Sequence, residues 1–331
     1  MAEFLPLFFV FAMGLSLLLY VVLDGFDLGI GLLLPFAEDA EKDIMIASIG
    51  PFWDANETWI VLGVGVLLVA FPQAHGIVLT ALYFPVTIML FGLILRGVAF
   101  DFRVKAEVDR KAMWNRAFFL GSLMAATAQG WMLGAYITGL QDSLTSRAFA
   151  TLIALTLPAL YVMLGGAWLL IKTEAALFDK AIRWSKNALL PMGAALLLVS
   201  IATPVVSPEI AERWFTLPAA IGLLPIPVST ALAYSAVWWA LRHPEVLRNS
   251  YAWIVFVGLV VICLMSAVGL AYSIYPDIII GRMTLYEAAA ATASLEFIFY
   301  GVAVTLPVIL CYTVFVYRVF GGKATALSYE S

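Results

Sequence analysis

Five ionisable residues sit where long apolar runs should exclude charge: Asp24 and Asp27 in Asp-Gly-Phe-Asp-Leu-Gly-Ile-Gly, Asp54 and Glu57 in Trp-Asp-Ala-Asn-Glu-Thr-Trp, and Arg96 in Leu-Arg-Gly-Val-Ala-Phe-Asp-Phe-Arg. In hydrocarbon an unpaired charge is costly, so such groups either pair with one another or exchange protons. Asp54 and Glu57 are three residues apart and share a helix face, as do Asp24 and Asp27 if their helix persists. Asp27 with Arg96 is the expected internal tie. A plainer account competes with proton transfer, because an acid near a helix N-terminus complements the dipole and costs little at headgroup depth. Position alone leaves both open. Gln129, in Thr-Ala-Gln-Gly-Trp, and Glu296 are further polar groups in apolar surroundings, and neither has a partner that the sequence names.

Redox chemistry in a membrane usually needs several histidines aimed into a helix bundle. Only His75 and His243 are present, the first in a short turn after Phe71-Pro72-Gln73 and the second just before Pro244, so neither is placed to hold a cofactor at mid-membrane. The 11 methionines are scattered and read as packing residues. Cys263 and Cys311 lie inside apolar runs and read as small buried hydrophobes, not as a disulfide or a thiolate site. No cofactor or metal is therefore expected on this chain. Gly25 with Gly29, and Gly130 with Gly134, have the spacing of close helix packing. Trp53 and Trp59 have the look of an interfacial aromatic belt. Asn56-Glu57-Thr58 matches a glycosylation sequon but opens a crossing on the inner side, and is set aside.

The elements that carry these residues follow from composition. With 63% hydrophobic and 12% charged residues in a chain of 331, and a mean hydropathy of +1.00, the main solvent is lipid. Runs long enough to cross predict an all-α membrane protein, one transmembrane domain over 1–331, with nine helices near 4–27, 53–71, 76–98, 114–138, 148–171, 187–206, 215–241, 251–275 and 294–318. The first is expected to run on, since Leu28 to Phe36 stays apolar, and to be retained, since Met-Ala-Glu-Phe-Leu lacks a basic stretch. Pro218, Pro225 and Pro227 are expected to bend or unwind the seventh. Of the 18 Lys and Arg, 15 fall on the side of the first, third, fifth and seventh connections and the tail, and only Arg147, Arg213 and Arg282 on the other. That asymmetry places the N-terminus in the periplasm and the C-terminus in the cytoplasm, with all five ionisable residues toward the cytoplasmic boundary.

The same residues carry a family likeness. Asp24-Gly25-Phe26-Asp27-Leu28-Gly29, Trp53-Asp54-Ala55-Asn56-Glu57-Thr58-Trp59 and Arg96-Gly97-Val98-Ala99-Phe100-Asp101-Phe102-Arg103, in that order, resemble the second subunit of cytochrome bd ubiquinol oxidases. Gln129-Gly130-Trp131 and Leu306-Pro307-Val308-Ile309-Leu310-Cys311-Tyr312-Thr313 extend the likeness, while residues from about 140 to 290 follow it mainly in hydropathy. The wording around Leu23-Asp24 and Asn56-Glu57-Thr58 is similar to the cyanide-insensitive branch.

The resemblance implies a haem-free subunit II in a bacterial inner membrane. It would stabilise a haem-bearing subunit I, which holds haems b and d, or b-type haems only, and the quinol site. One or more small single-helix subunits, membrane lipid and a structural quinone are further implied partners; nucleic acid is not. It assigns Asp54 to a cytoplasmic proton path for reduction of oxygen to water, with Glu57 beside it, although some members have glutamine at that position. It sets Trp59 near an oxygen entrance. Two other classes stay open on the residues alone: a secondary transporter using the intramembrane carboxylates and the broken seventh helix, and a scaffold in which Asp54 is inert.

Overall fold

The computed structural model describes residues 4–324, so the start Met1-Ala2-Glu3, read above for a leader, lies outside the described residues. The chain runs through α1 (Phe4–Leu33), α2 (Asp39–Ile49), α3 (Trp53–Ala70), α4 (Pro72–Ala81), α5 (Tyr83–Lys105), α6 (Val108–Ile137), α7 (Leu144–Lys172) and α8 (Ala175–Val206). It continues through α9 (Pro208–Phe215), α10 (Ala219–Leu223), α11 (Pro225–Arg242), α12 (Pro244–Val246) and α13 (Trp253–Ile274). A small antiparallel hairpin, β1 (Asp277–Ile279) with β2 (Met283–Thr284), then leads through α14 (Leu285–Ala288) to α15 (Thr292–Val319).

Among the described residues, eight helical stretches are long and apolar enough to cross a membrane: α1, α3, α5, α7, α8, the stretch through α10 and α11, α13 and α15. The expected count of nine is corrected in one respect. The crossing predicted at 114–138 exists as the 30-residue α6 but is too polar to count as an apolar span. Asn115 and Gln129 lie along it and are buried, so part of its polarity is directed into the protein. The expected first helix does run on, to Leu33. The expected helix at 76–98 is instead two, because the chain turns at Leu82 between α4 and α5. His75 accordingly lies within a ten-residue helix, not a turn. The seventh crossing is interrupted around its prolines, as predicted, leaving α9, α10 and α11 as separate pieces.

Helices α1, α3, α5, α6 and α7 form the packed centre, with α8 against α7 and α11 against α13. The glycines explain how closely they approach. A Cβ on Gly29 would lie 1.8 Å from the Tyr161 carbonyl oxygen, and one on Gly165 would lie 2.6 Å from the Gly29 carbonyl carbon, so α1 and α7 touch backbone to backbone. Gly130 and Gly134 do the same against Ala154 and Ala150 of α7. Both expected glycine pairs are packing devices.

Polar contacts sort the helix ends into two faces. On one, Lys180 donates to Glu38 at 2.8 Å and Glu41 at 2.7 Å, Arg103 pairs with Asp43 at 2.7 Å, and Arg248 pairs with Asp179 at 2.5 Å. Lys172, buried against the Phe52 and Trp168 rings, donates to the carbonyls of Phe320 and Gly322, and Lys323 returns a bond to the Thr173 carbonyl. On the other face, Tyr136 donates to the Ile278 carbonyl at 2.5 Å, the Ala290 N–H to the Ala70 carbonyl, and Arg213 to the Ser273 carbonyl. The first face gathers the cation-rich connections. The acidic Glu287 on the second caps α14, and the Thr284 backbone and hydroxyl bonds hold its carboxyl below the usual range.

Gly29→Ala is expected to force α1 from α7 and to destabilise the fold by about 1–3 kcal/mol, the usual cost of overpacking. Gly14→Ala, where a Cβ meets nothing within 4 Å, should be neutral. Thermal unfolding of the two variants in one detergent checks the difference.

Candidate functional site: a buried charge cluster

Three central helices and the last one bring the predicted residues together. Asp24 and Asp27 come from the second half of α1, Asn56 and Glu57 from the first turns of α3, Arg96 from α5 and Tyr317 from α15. Asp24, Asp27 and Asn56 have no exposed surface and Arg96 is 1% exposed. Burial of this kind is tolerated only with partners.

Arg96 Nη2 donates to Asp24 Oδ1 at 2.6 Å and to Glu57 Oε1, tying α5 to α1 and α3 at once. The expected pairing of Asp27 with Arg96 is therefore corrected. Asp27 Oδ2 instead accepts from Asn56 Nδ2 at 2.9 Å, the same nitrogen donates to the Leu23 carbonyl at 3.2 Å, and Tyr317 donates to Asn56 Oδ1 at 2.9 Å. The reason is geometric. Asp24 and Asp27 lie on one face a turn apart, so the level of Arg96 on α5 is met by Asp24 and that of Asn56 on α3 by Asp27.

One guanidinium thus faces three carboxylates, and the cluster keeps unfilled capacity: Asp24 Oδ2, Asp27 Oδ1, Arg96 Nε and Arg96 Nη1 are buried without a hydrogen-bond partner. In a low-dielectric interior three carboxylates are not balanced by one cation, so the set carries a charge mismatch. It also has a way out. Glu57 keeps 29% of its side chain exposed, and Asp54, one helical turn before it on the first turn of α3, is exposed. Exposed Asp54, half-buried Glu57 and buried Asp24 form a graded series of carboxylates from surface to core.

The remaining predicted residues separate from this cluster or extend it. Trp59 does not face lipid as a belt residue would: among the described residues it is the largest fully buried side chain, with its Nε1 unpartnered. Trp53 is partly buried and packs on Phe100 with ring centroids 5.1 Å apart. Gln129 has the partners that the sequence could not name, since its Nε2 donates to the Tyr20 hydroxyl at 2.7 Å and its Oε1 accepts from the Tyr161 hydroxyl. Glu296 is half-buried near the start of α15, the end of that helix opposite to Tyr317. Asn56, Tyr317, Tyr20 and Tyr161 are functional-site candidates that sequence reasoning missed. Asn56 was visible only as part of a motif, and Tyr317 carries no local signal.

No group of three or more His, Cys, Asp and Glu that could hold a metal occurs among the described residues. His75 and His243 sit at opposite ends of the bundle, and His243 Nδ1 is 2.8 Å from the Trp239 carbonyl. Their placement does not fit a pair of haem ligands. Cys263 is buried, but Cys311 is exposed because α15 is peripheral, which corrects the expectation for that residue.

A family model described as cytochrome bd terminal oxidase subunit II matches residues 5–320. Cytochrome bd ubiquinol oxidase subunit 2 of Bacillus subtilis (strain 168) is 36% identical over 124 residues, 37% of this chain and 37% of that relative. Cytochrome bd-I ubiquinol oxidase subunit 2 of Escherichia coli (strain K12) is 36% identical over 129 residues, 38% of this chain and 34% of that relative. These alignments span little more than a third of either relative's length. The bd oxidase structure from Geobacillus thermodenitrificans shares the fold at a TM-score of 0.76 and 17% identity, covering 96% of this chain and 98% of that one. With the family model matched along nearly its whole length, this chain belongs to the cytochrome bd terminal oxidase subunit II family.

Proposed function

We propose that this chain is the haem-free second subunit of a quinol oxidase in the bacterial inner membrane, and that it supplies a proton path to a haem-bearing first subunit. One observation carries the proposal: the surface-to-core series Asp54, Glu57 and Asp24 converges on Arg96 near the face with most of the cations. By the charge asymmetry that face is cytoplasmic, the side from which protons for water formation are drawn. Electrons and oxygen meet at the haems of the first subunit, b and d or b-type only, and this chain's own residues take up, hold and pass protons.

Asp54 is the uptake group because it is the exposed carboxylate nearest the cluster in sequence and lies on the same helix face as Glu57. Glu57 is the bridge, sharing Arg96 Nη2 with Asp24. Trp59 enters the same proposal as a wall of an oxygen route; its complete burial means that a passage beside it would run inside the chain. Small single-helix subunits and a structural quinone belong to the proposed complex without assigned contacts here. The transporter alternative loses its structural basis. The break around Thr216–Pro225 lies among exposed residues such as Leu217 and Ile221, whereas the buried carboxylates are on α1 and α3.

Asp54→Asn in the assembled, detergent-purified complex is expected to slow quinol oxidation and proton uptake by about 10²-fold, within the range of a lost acid–base group, with little change in thermal stability. Wild-type turnover would reduce the chain to a scaffold. A colourless preparation lacking any haem-bearing partner would remove the oxidase reading altogether. Arg96→Met should behave oppositely: leaving Asp24 and Glu57 without their cation is expected to cost about 3–5 kcal/mol of stability, the penalty for breaking a buried ion pair, read as a lower unfolding temperature.

A further inference from the structure

The last helix lies along the bundle without being embedded in it. Leu295, Val302 and Val316 of α15 are buried, while Tyr300, Val304, Val308 and Tyr312 face outward. Its two ends are fastened. At one, Phe299 packs on Phe8 and Phe4 of α1, with ring centroids 4.8 and 6.3 Å away. At the other, the ammonium of Lys172, from the last turn of α7, donates to the carbonyls of Phe320 and, at 3.0 Å, Gly322. The chain beyond α15 completes a clasp, since Lys323 donates to the Thr173 carbonyl at 3.0 Å and the Ala324 N–H to the Lys172 carbonyl at 2.8 Å. A helix leaves its last carbonyls unsatisfied and carries partial negative charge there, so a cation supplied by a neighbouring helix meets both needs.

Tyr317 sits inside that clasp. Lys172 Nζ stands 5.0 and 5.1 Å from the centroids of the Phe52 and Trp168 rings, and the Tyr317 ring packs on the same two at 4.6 and 5.8 Å. From this seat the Tyr317 hydroxyl donates to Asn56 Oδ1 at 2.9 Å. Asn56 has no exposed surface, and its other end is committed as well: Nδ2 donates to Asp27 Oδ2 at 2.9 Å and to the Leu23 carbonyl at 3.2 Å. Both N–H donors and the oxygen of the amide are therefore used. Turned over, the amide would set Oδ1 against Asp27 Oδ2, acceptor against acceptor. Tyr317 closes the end of Asn56 that Asp27 and Leu23 leave open.

We propose that Lys172 is a positioning residue for Asp27: by clasping the end of α15 it seats Tyr317, whose hydroxyl holds the Asn56 amide with its nitrogen toward the carboxyl group. The links run from the cation-rich face into the buried cluster through α7, α15, α3 and α1 in turn. Asp27 lies one turn from Asp24, and Asn56 adjoins Glu57, so a displaced amide disturbs the carboxylates of the proposed path. For its effect on turnover this inference rests on the proton-path reading; for the orientation of Asn56 and Asp27 it does not.

The experiment uses the assembled, detergent-purified complex with its haem-bearing partner. An infrared carboxyl band assigned to Asp27 by its loss in Asp27→Asn is expected to shift in Tyr317→Phe, which removes one oxygen and keeps the ring. Lys172→Met keeps the stem and removes the ammonium; it should shift that band in the same direction. The double variant should move it no further than Tyr317→Phe, since the lysine acts through the tyrosine. Lys180→Met controls for a merely structural part: it breaks the ion pairs with Glu38 and Glu41 on the same face and should leave the band in place. In quinol oxidation Tyr317→Phe should lower kcat by about tenfold at unchanged KM, the scale of weakening one hydrogen bond to a charged group. A band unmoved in Tyr317→Phe, moved equally by Lys180→Met, or moved further in the double variant overturns the proposal. So does a band unmoved in Lys172→Met; where that variant fails to assemble, Lys323→Met, which cuts the other side of the clasp, decides in the same way. A shifted band with wild-type kcat upholds the positioning and tells against the proton-path reading instead.

Discussion

A guanidinium with 1% exposure in an apolar bundle has to be surrounded by acceptors, and the arrangement of the central helices follows from that requirement. Arg96 meets it by drawing one carboxylate from α1 and one from α3, so that two crossings distant in sequence are referenced to a single side chain on α5. Apolar packing alone distinguishes poorly among helix rotations in lipid, where leucine on a helix and a lipid tail are nearly equivalent. A shared charge does distinguish. Rotating α1 or α3 by one residue would leave a buried ion without its partner, and the backbone contact of Gly29 with α7 fixes the other side of α1.

Much of this was legible beforehand because membrane sequences carry two strong signals, apolar length and misplaced charge. The five ionisable residues were identified from their surroundings, and four of them do converge. Their pairing was not legible. Whether Asp24 or Asp27 meets Arg96 depends on the rotation of α1, which is set by Gly29 and Gly165; the Gly25 and Gly29 spacing announces a close contact but not the helix that makes it. Gln129 stood out as an isolated polar residue, but its partners are tyrosines on α1 and α7, separated from it by 109 and 32 residues, and tyrosine is too common in membrane helices to be a signal. Trp59 was misplaced for a related reason: an indole near a helix start fits an aromatic belt, and only tertiary packing buries it. Helix α2 escaped notice because it is short and mixed in character, and its stability comes from a capping box at Glu38 and Glu41 and from Lys180 of α8.

The bundle is unevenly finished. Its centre is dense, whereas α11 and α15 present Leu232, Phe297, Tyr300, Val304, Val308 and Phe315 outward. Lipid satisfies such faces at no cost, so a membrane chain can leave them open while its buried polar atoms demand completion. The two kinds of incompleteness differ in their meaning. Open apolar surface is compatible with many neighbours, but Asp24, Asp27 and Arg96 accept only a few chemical groups in a few positions.

The strap at Lys172 gives the polypeptide an order of assembly. Its ammonium holds the carbonyls that end α15, and two residues before that end Tyr317 completes the bonding of Asn56. The first described helices therefore depend on the last described one: the polar core begun by α1 and α3 is closed only once α15 is in place. A chain cut short before α15 would hold the other described crossings while Asn56 and Lys172 still lacked their last partners.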